Sequence, residues 1–169
     1  MPTYFPKLGK KIYIDPAAQI IGRVTVGDYS SIWPGCVLRA DIQRIAVGKY
    51  TNIQDLSLLH VETGRACLVG DYVTVGHQVC LHACTVEGQA LVGIGSIVLD
   101  GAVIGEKTIL GAGSLVTHDQ RLKPKSLYFG RPAKFVRALT AKEITELKEW
   151  ALRYVDYAAD HLKGLYRRL

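Results

Sequence analysis

A chain of 169 residues with 21 Lys and Arg against 15 Asp and Glu has the size of one domain, and so small a basic excess narrows its class little. No apolar run approaches the length of a bilayer span, and the opening MPTYFPKLGKK lacks the long apolar stretch of a signal peptide, so the expectation is a cytoplasmic protein without a membrane partner. The four cysteines, Cys36, Cys67, Cys80 and Cys84, show no C-x-x-C pair and are too sparse for a small secreted scaffold; they read as buried thiols without a disulfide.

Residues 1–13 are predicted to lead into a repeat that begins at Ile14. Aliphatic residues then recur every sixth position at Ile14, Ile20, Val26, Ile32 and Leu38. After a nine-residue step come Val47, Ile53 and Leu59, and after a ten-residue step Val69, Val75 and Leu81. A five-residue step leads to Val86, Val92, Val98, Ile104, Leu110 and Val116. All seventeen are Val, Ile or Leu. Small or β-branched residues stand four places after most of them, as at Ser30, Thr51 and Ser96, and Gly often follows directly, as at Gly27, Gly48 and Gly70.

A six-residue period predicts a left-handed parallel β-helix, an all-β fold in which each hexapeptide is one face of a triangular prism and three make a coil. Each aliphatic residue points inward and stacks on its equivalents, with about 4.8 Å between coils. An amphipathic helix has the wrong period, and the segment carries too many Gly and β-branched residues for one. The β-helix is expected over residues 1–120, with a connecting loop and a C-terminal α-helix over 121–169 packed on the same domain.

The loop is announced by RLKPKSLYFGRPAK. Thr140 and Glu143 then form a capping-box pattern, followed by an apolar stripe at Ile144, Leu147, Ala151, Tyr154, Val155, Ala158 and Leu162. From Arg121 onward there are 12 basic and 5 acidic residues, against 9 and 10 before it. These charges are spread over a loop and a helix with no nucleic-acid-binding motif, so they read as a solvated face rather than a nucleic-acid site.

Assigning hexapeptides to faces in order, with the faces beginning at Val26, Ile32 and Leu38 called first, second and third, organises the polar residues. Arg39, His60 and His82 each follow a third-face aliphatic and stack outward in successive coils. His77 lies on the second face, round a corner, one coil above Gln54. Three imidazoles with an open position suit a catalytic zinc ion, and other divalent ions accept the same set. Within one chain the faces diverge, so a neighbouring prism is expected to supply His77, and a threefold ring closes that contact. His118 and His161 lack the alignment and receive no role. Cys80 and Cys84, flanking His82, read as packing residues.

The segments LRADI (38–42), TNIQD (51–55), LLHVE (58–62), VGHQVCLHAC (75–84) and GRPAK (130–134), with the terminal helix, make the chain resemble the γ-class carbonic anhydrase family, especially its shorter bacterial members. The hexapeptide pattern alone is shared with many acyltransferases; R-x-D, N-x-Q-D and the three histidines together are more specific. The resemblance implies His60, His77 and His82 as ligands of Zn2+, with Fe2+ or Co2+ as other occupants, in a homotrimer. It further implies that Arg39 and Asp41 form a subunit-bridging ion pair, that Gln54 hydrogen-bonds the reactive hydroxide, that Asn52 is a second active-site amide, and that Tyr128 approaches the site.

The implied reaction is reversible hydration of carbon dioxide to bicarbonate, with a titratable relay for the released proton. The family's best-studied pattern has a glutamate after the R-x-D aspartate and a long acidic loop after the first histidine. Here Ile42 and the short VETGRACLVG (61–70) stand instead, leaving Glu62 as the one carboxylate to serve as relay. Two other classes fit the scaffold: a hexapeptide acyltransferase or thioesterase acting on an acyl-CoA, and a noncatalytic metal-containing assembly module.

Overall fold

The computed structural model describes residues 3–166, and over them the chain winds into a left-handed parallel β-helix followed by one long helix. The register follows the six-residue period on all three faces. Val26 pairs with Val47, then Val69, Val86 and Ile104 up the first face. Ile32, Ile53, Val75, Val92 and Leu110 stack on the second. Leu38, Leu59, Leu81, Val98 and Val116 stack on the third. Of the seventeen repeat aliphatics, all but Ile14 and Ile20 are buried, at 4% exposure or less. Those two lie near the prism's first coil, where little chain remains to cover them. Burying one such side chain is worth about 1.5–3 kcal/mol, so the interior column supplies the main driving force.

The irregular steps fall at the corner between the third and first faces. Two strands, Gln19–Val26 and Val37–Val47, run through that corner and serve both faces, which absorbs the nine-residue step. The ten-residue step becomes a tight turn in which Glu62 and Arg65 bond backbone to backbone. At another corner the backbone must turn left-handed in each coil, and Lys11, Tyr29, Tyr50, Tyr72, Gln89, Lys107 and Lys125 all adopt φ between 51° and 59°. Such a conformation costs a residue with a Cβ about 1–2 kcal/mol. Tyr29, Tyr50 and Tyr72 offset part of this by stacking nearly parallel at 5.0 and 4.8 Å. Beside this corner Gly27, Gly48 and Gly70 stack so closely that a Cβ on Gly48 would lie 2.5 Å from the Gly70 carbonyl carbon.

The parallel ladder continues past residue 120, through Arg121–Leu122 and Ser126–Phe129. The connection therefore begins later than the proline and glycine suggest, because Leu122 and Tyr128 still fill rungs above Ile104 and Leu110. Only then does Lys134–Ala138 turn back and pair antiparallel with Ser126–Phe129. The helix spans Ala141–Leu162 and opens with the expected capping box: Thr140 accepts from the Glu143 N–H, and Glu143 accepts from the Thr140 N–H. Arg137, with the Thr140 backbone and hydroxyl, pulls the Glu143 carboxyl down to about 2, so the cap is ionised at neutral pH.

Leu147, Ala151 and Ala158 seal the helix against the prism, but Leu162, at 58% exposure, does not join them. The stripe ends one turn early because His161 takes the docking position, 3.3 Å from the Tyr13 hydroxyl and edge-on to Trp33. All four cysteines are free; Cys36, Cys67 and Cys84 are buried and Cys80 half-buried. Burial raises the Cys36 thiol to about 11. No helix among the described residues is long and apolar enough to cross a membrane.

Candidate metal centre

Parallel register brings the third-face polar residues together. Arg39 sits opposite His60, and His60 opposite His82. His60 Nδ1 lies 3.1 Å from His82 Nε2. Two nitrogens each about 2.0–2.1 Å from a tetrahedral ion stand about 3.3 Å apart, so the observed spacing suits two ligands of one ion.

The other ring nitrogens face carboxylates. His60 Nε2 lies 3.3 Å from Asp41 Oδ1, His82 Nδ1 bonds Asp100 Oδ1, and His77 Nδ1 lies 2.9 Å from Asp55 Oδ2. With the ring protons on the carboxylate-facing nitrogens, His60 and His82 present lone pairs to the same point. A cation relieves that opposition, and carboxylates behind metal-binding imidazoles commonly fix the tautomer in this way.

Asp41 also pairs with Arg39 within the chain and accepts the Ile42 N–H at 3.0 Å. Desolvation raises the Asp41 pKa, but the Ile42 N–H, its own N–H, Arg39 and His60 outweigh it and hold the carboxyl below its usual value.

The second face gathers a different group. His77, 43% exposed at its side chain, opens with Gln54 onto a groove of about 380 Å³ beneath Trp150 and Tyr154 of the terminal helix. Gln54 donates from Nε2 to Asn52 Oδ1 at 3.0 Å, and Asn52 donates from Nδ2 to Thr74 Oγ1 at 3.1 Å. Both amides are nearly buried, at 5% and 1% exposure, so these bonds fix their orientation. The chain thus brings His60, His82, Arg39 and Asp41 together on one face and His77, Gln54 and Asn52 on the next. Among the described residues, one chain alone gathers no metal-binding group of three or more His, Cys, Asp or Glu.

Glu62 and Tyr128 join neither group by any recorded bond. Glu62 accepts the Thr63 N–H at 2.7 Å in its exposed turn. Tyr128 is 6% exposed in the core three coils above His77, and its hydroxyl accepts the Lys123 N–H at 3.0 Å. Two carboxylates that the sequence reading passed over, Asp55 and Asp100, hold two of the histidines. His118, given no role, stands 3.7 Å from the second oxygen of Asp100. The available signal was spacing: His82, Asp100 and His118 follow one another at intervals of 18 residues, close to the length of one coil.

No protein-family model matches the chain. It is 44% identical over 162 residues to the mitochondrial gamma carbonic anhydrase 2 of Arabidopsis thaliana, an alignment covering 92% of this chain and 58% of that protein. It therefore spans 58% and 59% of the length of that relative and of gamma carbonic anhydrase 1 from the same plant. A carbonic anhydrase of Geobacillus kaustophilus is 42% identical over 151 residues, covering 89% of this chain and 83% of that one. Among solved structures, a proposed acetyltransferase of Bacillus cereus superposes with a TM-score of 0.92 at 41% identity, covering 96% of this chain and 94% of that one. Identity of this order over most of both chains, on a prism whose faces carry the paired histidine ladder, makes this chain a member of the gamma carbonic anhydrase family.

Proposed function

We propose that the protein catalyses the metal-dependent, reversible hydration of carbon dioxide at the subunit boundaries of a homotrimer. His60 and His82 of one prism and His77 of its neighbour hold the ion, zinc or, with the same ligand set, iron or cobalt. The observation that supports this reading is a carboxylate behind each of the three imidazoles, together with the facing nitrogens of His60 and His82 at 3.1 Å. When bound, a divalent ion in such a set brings the pKa of water toward about 7 and so supplies a nucleophile at neutral pH.

The chain's own residues do the rest. Asp41, Asp55 and Asp100 fix the imidazoles, and Arg39 fixes Asp41. Asn52 accepts from one N–H of the Gln54 amide, leaving the Gln54 carbonyl oxygen to accept a hydrogen bond from the reacting water. The mostly apolar groove walls suit a small, uncharged substrate.

Stopped-flow hydration on metal-replete protein, prepared with zinc and anaerobically with iron, tests the reading. A rate above buffer that rises through neutral pH is expected; none in either preparation overturns it. The Bacillus cereus neighbour's proposed activity favours acyl transfer instead, and release of free coenzyme A from acetyl-CoA by the same preparation would identify that alternative. Asp100→Asn is expected to weaken metal binding about 10–100-fold, read by competition with a chromogenic chelator, because the Asn side chain carries no charge to hold the His82 N–H.

A further inference from the structure

At the corner between the third and first faces, Lys7, Arg23 and Arg44 line a cleft of about 270 Å³ together with the rings of Tyr4 and Phe5. Two of the three cations are delivered by irregularities in the repeat. Arg23 lies at the register shift between Gly22 and Val24, which throws its side chain out of the ladder. Arg44 ends the extra residues of the nine-residue step, and Lys7 comes from the short strand paired with Thr25 and Val26.

Among the described residues none of the three forms an ion pair, although carboxylates elsewhere on the prism are paired with Arg39, Lys49, Arg65 and Arg137. Arg23 is the most constrained: its guanidinium stacks 4.9 Å from the Tyr4 ring, Nη2 donates to the Asp41 carbonyl at 3.4 Å, and Nε is buried with no partner. A guanidinium stays charged under all ordinary conditions, so Arg23 brings to the cleft a fixed positive charge that no carboxylate of the described residues balances.

We infer that this cleft binds a small phosphate-type dianion, either inorganic phosphate or a phosphomonoester of a few carbons. Three uncompensated cations favour a dianion over a monoanion, and the guanidinium fork matches the spacing of phosphate oxygens. The volume sits just below the roughly 300–1,000 Å³ of pockets for larger organic ligands, which favours a small ester over a nucleotide. The exposed Phe5 ring gives the ester's carbon end an apolar wall. The inference does not rest on the reaction proposed above.

Calorimetric titration of inorganic phosphate into the full-length, metal-replete protein at constant ionic strength is the test. Saturable binding below about 10 mM is expected, weakened about tenfold or more by Arg23→Gln and by Arg44→Gln. Thermal melts of both variants should stay near the parent's, since neither side chain fills the core. His82→Ala should bind phosphate unchanged, and bicarbonate should bind about tenfold more weakly than phosphate. The free phosphate and ester sources are separated by repeating the titration with glycerol phosphate, which binds more tightly if the Phe5 wall is used. Absence of saturable binding, equal affinity in Arg23→Gln, loss of binding in His82→Ala, or equal affinity for bicarbonate would each overturn the assignment.

Discussion

The His82→Ala protein is expected to keep its fold while losing metal and carbon dioxide hydration together. His82 points outward from a strand whose inward residue, Leu81, is fully buried and untouched by the change, so the core column stays intact. What disappears is one of the two imidazole nitrogens that face each other at 3.1 Å. Removing a ligand outright should exceed the 10–100-fold penalty typical of a lost supporting residue, so metal affinity should fall more than about 100-fold. Elemental analysis of the purified protein and the hydration rate check both halves. His77→Ala should behave alike despite lying on another face, and full metal retention in that variant would refute the shared site.

Gly48→Ala should destabilise the prism strongly for a single added methyl. The new Cβ would lie 2.5 Å from the Gly70 carbonyl carbon and 2.6 Å from its oxygen, contacts with backbone that is itself fixed in the ladder. Overpacking against groups that can move costs about 1–3 kcal/mol, so about 3 kcal/mol or more is expected here, a fall in Tm of about 10 °C. Gly88→Ala is the control, because its nearest neighbour, the Asp71 carbonyl oxygen, stands 3.3 Å away. Its Tm should move by less than a third as much.

How far the chain could be read from its sequence depends on which way a residue points. Inward positions obey one rule, so Val26, Ile32 and Leu38 sufficed to assign every coil to a face, and the Arg39–His60–His82 column followed by counting. Outward positions obey none, and there the reading thinned. Asp55 stood in the N-x-Q-D pattern without a role and Asp100 stood outside every pattern, because a carboxylate supporting a histidine from the neighbouring coil has no local signature. Arg39 and Asp41, two residues apart, pair within the chain, a contact the R-x-D spacing allows. The resemblance brought Tyr128 toward the site, whereas in-register pairing above Leu110 makes it the next rung of the core. The surplus residues around Arg23 and Arg44 simply lengthened the repeat on paper; their chemistry emerged only when the corner was built.

A stack of equivalent coils has no intrinsic length. Each finished coil offers its open edge as a template for another, and a second molecule serves as readily as more of the same chain. The reversed strand Lys134–Ala138 interrupts this arithmetic. It pairs antiparallel with the last parallel strand, and its register slips between Leu127 and Tyr128, so the edge it presents no longer matches the start of any coil. Lys134 lies exposed along it, beside Arg137, whose charge Glu143 balances. One short segment spelled KFVRA therefore turns the second face's ladder back on itself, so that at this end the face stops at a reversed strand instead of an open coil.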